Sequence, residues 1–106
     1  MTDEWSEQFR VAAKEWVDAD AEASLAEELK SSTLNQMIIH LNVQGEMPMN
    51  RRESIVRSSD KWIEYVNDMV KKRTKANLFK VRLEYIRMRF NEQQSIEATK
   101  RAEMKL

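Results

Sequence analysis

Apolar side chains in the first part of the chain recur at Trp5, Phe9, Ala12, Trp16, Ala19, Ala23, Ala26, Leu34, Met37, Ile38 and Leu41. Through Ala26 they step by alternating fours and threes, the seam of a helix with one buried face. The pattern predicts a first helix over about 3–43. Thr2 or Asp3 is placed to cap it, and Glu4 and Glu7 suit the positive end of its dipole. Lys30 interrupts the stripe, and Ser31-Ser32-Thr33 lowers helix propensity, so a bend or break is allowed near 30–33.

A turn follows at 44–50. Gly45 is placed to close the first helix and Pro48 stops it from continuing. Asn50 reads as the next N-cap, with Glu53 at the capping-box position. A second helix is then expected over about 51–100, a rod of roughly 75 Å at 1.5 Å per residue. Ile55, Trp62, Val66, Met69 and Val70 form one apolar face. The stretch Lys71-Lys72-Arg73-Thr74-Lys75 has no apolar residue, which allows an irregularity near 71–77.

Beyond it the second helix is apolar on two sides. Phe79, Leu83, Ile86 and Phe90 line one face, while Leu78, Val81, Tyr85 and Met88 line the opposite one. One neighbour cannot cover both. The expected architecture is therefore all-α: two long antiparallel helices, coiled-coil-like, that self-associate into a bundle, most simply as a homodimer. Trp5, Phe9, Trp16, Trp62, Val66, Leu83 and Phe90 are the expected hairpin core. Leu78, Val81, Tyr85 and Met88 are the expected oligomer interface. A monomer bent into three helices is the alternative.

Composition supports the class and narrows the chemistry. One Gly and one Pro in 106 residues leave almost no turn signals for a β or doubly wound fold. The absence of cysteine excludes disulfides and thiol chemistry. No apolar run is long enough to span a bilayer, and the acidic start is unlike a secretory leader, so a cytoplasmic protein is expected.

The formal net charge of zero hides a sorting by halves. Residues 1–49 carry ten acidic side chains against three basic ones, a net of −7; residues 50–106 carry eight against fifteen, a net of +7. If the chain folds back at 44–50, Glu15, Asp18, Asp20, Glu22, Glu27 and Glu28 face the window holding Lys71, Lys72, Arg73 and Lys75. Much of the asymmetry then becomes internal complementarity that selects an antiparallel pairing.

Farther along, the match fails. Residues 71–89 hold eight basic side chains and one acidic one, Glu84. They fall on two strips that step by seven, Arg73, Lys80 and Arg87 on one and Lys75, Arg82 and Arg89 on the other. Positive charge repeated along an axis suits a nucleic-acid backbone. The competing interpretation is the solvated flank of a coiled coil, where charged e and g positions are ordinary. Tyr85 and Phe90 could stack bases, although their places on the apolar faces favour packing.

Catalytic constellations are missing. His40 is the one histidine and has no visible partner for general-base work; a glycine-rich phosphate loop needs more than one glycine. No histidine pair offers a metal ligand set. The chain is read as a non-enzyme with no cofactor, no metal and no small-molecule substrate. A helix-turn-helix centred on 40–58, with Arg51, Arg52 and Arg57 on its second helix, is disfavoured by an eight-residue connector.

The run from Ala76-Asn77-Leu78 through Leu83-Glu84-Tyr85-Ile86-Arg87-Met88-Arg89-Phe90, and on through Gln93-Gln94-Ser95 to Met104, resembles small helical proteins of tailed phages and prophages. Trp16 and the Leu25–Lys30 segment fit the same pattern, so the resemblance covers most of the chain. It implies an early-gene accessory binder concerned with DNA metabolism or with countering host defence, and it carries no assigned residues. Two functions are expected from this. In one, the second helix binds DNA or a DNA-handling protein through Arg73, Lys75, Lys80, Arg82, Arg87 and Arg89. In the other, a protein-only module inhibits a host nuclease or defence complex through its acidic first helix or an exposed apolar face.

Overall fold

The computed structural model describes residues 2–105, with side chains from residue 4 onward. The capping roles expected of Thr2 and Asp3 lie outside the described side chains. The chain is all-α, but its described residues form four helices where the pattern predicts two: α1 (Thr2–Glu28), α2 (Lys30–Ile39), α3 (Met49–Arg57) and α4 (Asp60–Met104). The overall extents are 88 × 18 × 17 Å. Its radius of gyration of 23.8 Å far exceeds the roughly 13 Å of a globular chain this long, so the molecule is a rod.

Each extra boundary has a local cause. The first helix breaks at Leu29, one residue before the polar stretch that follows. Hydrogen bonding runs on through the joint, with Leu29 N–H on the Leu25 carbonyl at 3.0 Å and Thr33 N–H on the Leu29 carbonyl at 2.8 Å. Leu29 itself has a ψ near zero, which turns the chain without opening its ladder. The second predicted helix breaks at Ser58-Ser59. The Ser58 hydroxyl donates to the Ser54 carbonyl and the Ser59 hydroxyl to the Val56 carbonyl. Ser59 is extended and caps α4, its oxygen accepting from Trp62 N–H at 3.3 Å. Serine side chains that satisfy backbone groups compete with helix continuation and favour a cap. From Asp60 on, α4 is unbroken, including over 71–77.

The turn also differs from its expected layout. Helix α2 ends at Ile39 rather than near 43, with His40 as its C-cap. Gly45 is left-handed (φ 81°), but it bends the connector five residues farther on instead of capping the helix. Pro48, not Asn50, holds the N-cap position of α3, and its carbonyl accepts from the N–H groups of Arg51 and Arg52. Proline suits a helix start because its missing N–H would have had no helical partner there. Asn50 accepts from Arg51 N–H within the first turn, and Glu53 pairs with Arg57 at 2.8 Å instead of closing a capping box.

Two packed regions result. At the turn end, Leu34 and Ile38 of α2, Val56 of α3 and Trp62 of α4 form a core, with Met37, Leu41, Tyr65 and Val66 against it. Along the shaft, α1 packs on α4. There Ala19 and Ala23 meet Ala76, with Phe79 beside them, and Ala12 and Leu83 are also buried. Alanine at the contact lets helix axes approach closely, at the cost of little apolar area per residue. Of the expected hairpin core, Trp62 and Leu83 are buried, while Trp5, Phe9, Trp16, Val66 and Phe90 are only half-buried. Trp62 and Val66 belong to the turn-end cluster. Ile55 faces solvent and Val56 takes the inward place, because the break at Ser59 resets the helical phase between α3 and α4. Val70 faces solvent because, eight residues past Trp62 on unbroken α4, it lies off the inward line of Trp62, Val66 and Met69.

Candidate interaction surfaces of the long helix

The charged residues of α4 sort into those spent within the chain and those that are not. Arg73 is spent. Its guanidinium donates to Asp20 at 2.6 Å, to both oxygens of Glu27 at 2.7 and 3.0 Å, and to the Ser24 hydroxyl at 3.2 Å. The planar fork of arginine is suited to this, since it offers several donors in fixed directions. The hydrogen bond from Arg73 holds the Glu27 carboxyl below the usual range, and the same contacts push Arg73 up. This residue is therefore a clamp between α1 and α4, and the anion that it was expected to meet is supplied by α1.

The remaining five predicted basic residues are held more loosely. Arg82 reaches Glu15 of α1 and Arg89 reaches Glu92 of α4, each at 3.4 Å. Lys75 lies 5.8 Å from the centre of the Phe79 ring, and Arg87 5.5 Å from that of Phe9. Lys80 is exposed and makes no ion pair among the described residues. Exposed pairs of this length stabilise little and exchange readily for another anion. Lys75, Lys80, Arg82, Arg87 and Arg89 thus form two basic strips on the exposed flanks of α4, extending away from the clamp.

Acidic α1 divides in the same way. Asp20 and Glu27 hold Arg73, Glu15 meets Arg82, and Glu7 pairs with Arg10. The hydrogen bond from Arg10 lowers the Glu7 carboxyl. Asp18, Glu22 and Glu28 are exposed and make no ion pair among the described residues. Contacts climb α1 as they descend α4, since Trp5 meets Phe90, Phe9 meets Arg87 and Asp20 meets Arg73.

The second surface is apolar. Leu78, Val81, Tyr85 and Met88 are 65%, 62%, 56% and 56% exposed, whereas Ala76 and Leu83 on the other side of α4 are 0% and 6%. No described residue covers the outer four. At the open end, Trp5, Phe9, Ile86, Arg87 and Phe90 line a cleft of about 400 Å³, where the aromatic rings of the shaft are left part-wet.

One contact had no signal in the pattern of the chain. The Tyr65 hydroxyl donates to the Ala26 carbonyl and its ring stacks on Trp62 at 5.6 Å. That bond ties the end of α1 to the turn-end core, and only the close passage of the two helices makes it available. His40 is exposed, and no group of three or more His, Asp or Glu side chains gathers among the described residues. No described helix is long and apolar enough to cross a membrane. No family model, curated protein or solved structure matches the chain.

Proposed function

We propose that this chain is a non-enzymatic accessory binding protein of the phage type, a self-associating helical hairpin that binds DNA or a DNA-handling protein through α4. In this reading α1 and α2 are one limb, and α3 and α4 are the other. Pairs of hairpins associate into a bundle inside the host cytoplasm. The observation that carries the reading is the uneven spending of charge. Arg73 is saturated by α1, while Lys75, Lys80, Arg82, Arg87 and Arg89 remain solvent-facing with loose partners or none. Basic strips that run along one rod suit contact with successive phosphates and need no base-specific contact.

Retention of single- and double-stranded DNA, measured across a salt series, tests it. Binding is expected to weaken steadily as salt rises. In a K80E/R87E variant the log–log slope for duplex should become shallower by about two, because each neutralised phosphate contributes close to one. DNA that is not retained even at low ionic strength would sink the reading.

A second reading rests on Asp18, Glu22 and Glu28, the exposed acids that α4 leaves unpaired. A protein partner with a basic groove, such as a nuclease or defence complex, would recognise them as it does a polyanion. Here neutralising the three should release a captured protein partner, with no DNA binding by any variant.

A further inference from the structure

We infer that the outer stripe of α4 is the seam of a parallel homodimer, in which α4 lies beside α4 of a second copy pointing the same way. This rests on the self-association proposed above and adds its geometry. Leu78, Val81, Tyr85 and Met88 step by three, four and three along one helix, which is a coiled-coil spacing. They lie opposite the face that α1 covers, so a second helix meets no obstruction from the first. Ile63, Val70 and Ile96, also exposed, border the stripe above and below. The four residues offer a contiguous apolar surface on the order of a few hundred Å² per copy, the size of patch that marks an interaction site.

The two edges of the stripe carry different charges, and that decides direction. One edge holds Lys75, Arg82 and Arg89; the other holds Asn77, Glu84 and Asn91. Parallel helices bring one kind of edge against the other, with a residue facing the position five farther along its neighbour. Glu84 then faces Arg89 of the second copy, and Asn77 faces Arg82, with every relation repeated by symmetry. Arg89 can turn to Glu84, because its present partner Glu92 is exposed and held at only 3.4 Å.

Antiparallel helices bring like edges together. With Leu78 over Met88 and Val81 over Tyr85, Arg82 meets its own counterpart, Lys75 meets Arg89, and Glu84 meets Glu84. Sliding the pair by one heptad still sets Arg82 against Lys75, and it puts Tyr85 against Thr74 and Met88 against Lys71, which breaks the apolar match. Within the stripe, the antiparallel seam in register opposes like edges and the slid one loses its apolar match, whereas the parallel seam sets unlike edges together and keeps all four apolar residues in register.

The parallel arrangement leaves Lys80 and Arg87 off the seam, as one strip on each of the two opposite flanks of the dimer. These are the two residues altered in the DNA test above, so the two experiments read separate surfaces.

The lack of cysteine makes cross-linking a clean test in the full chain. Under mild oxidation, M88C is expected to form a disulfide with its own counterpart. In the antiparallel seam the two Met88 positions lie about 15 Å apart, too far for a disulfide, and only mixed L78C and M88C chains would join. Sedimentation in parallel reads the state of the unmodified protein. The paired change V81E/Y85E should yield monomers that keep their helical signal, and K80E should leave the dimer intact. E84R or R89E alone should weaken the dimer by roughly two- to tenfold, and combining them should restore it. A monomer at all concentrations overturns self-association itself. A dimer that cross-links only through Leu78 and Met88 overturns the parallel direction and leaves self-association standing.

Discussion

The turn end and the shaft of this rod are held together by different means. At the turn end, Leu34, Ile38, Val56 and Trp62 converge from three helices, and large side chains are removed from water. Along the shaft, the buried contacts are mostly alanines, supplemented by the Arg73 clamp and the Tyr65 bond to Ala26. Burial scales with apolar area, so a leucine or tryptophan contributes far more than an alanine. The shaft is therefore held by closeness and polar geometry, and the turn end by volume. It follows that the shaft can carry an exposed apolar stripe and basic strips on the same helix, because its own packing uses only a narrow face.

The largest effect should come from the turn end. Trp62→Ala removes a buried ring from the core of large side chains at the turn end and should cost about 3–5 kcal/mol in chemical denaturation. Overpacking the shaft is the next test. Ala23 and Ala76 are fully buried, so Ala23→Leu has to push α1 away from α4, at about 1–3 kcal/mol. A shaft that accepts leucine without loss would show that close approach is not what holds it.

The clamp should matter less, and in a pH-dependent way. Arg73→Met removes four donated hydrogen bonds at a site that remains part-exposed, and a smaller loss of stability than from either packing change is expected in chemical denaturation. Because Arg73 lowers the Glu27 carboxyl in the folded chain, its contribution is present above the ordinary glutamate range and is lost as pH falls through the lowered value. The native protein should lose stability in acid more steeply than the Arg73→Met variant; equal acid limbs would remove the clamp from the account. Smallest of all, Glu84→Gln should shift thermal unfolding of the monomer by no more than about 0.5 kcal/mol. Its measurable effect is expected in the dimer alone.

The all-α class was legible because apolar spacing and the scarcity of Gly and Pro both point to it. So was the charge relation between α1 and Arg73, since acidic and basic clusters equidistant from the turn come together when the chain reverses. The break at Ser59 was less legible, although Ser58-Ser59-Asp60 is a capping signal in plain view. An uninterrupted count of apolar positions passes over it and then assigns Ile55 to the inside. A one-residue change of phase on a helix turns the pattern by about 100°, which is why Val56 and not Ile55 is buried.

Among the basic residues, sequence spacing grouped Arg73 with Lys80 and Arg87 as equals. They are not equals in the fold. Residues seven apart share a face of one helix whatever lies opposite, and only the register of α1 decides which of them meets an acid. Asp20 and Glu27 lie within reach of Arg73, while Lys80 has no such pair.

What the chain by itself determined is the helical class, the two-sided α4 and the placement of charge in opposite halves. These depend on residues within a few turns of one another, where helical period alone sets the geometry. The tertiary structure decided the number of helices, the location of the dense core and the division of charges into spent and free. Those depend on how closely and in what register distant segments pass, and side-chain volume and hydrogen-bond reach settle that only after the chain has folded.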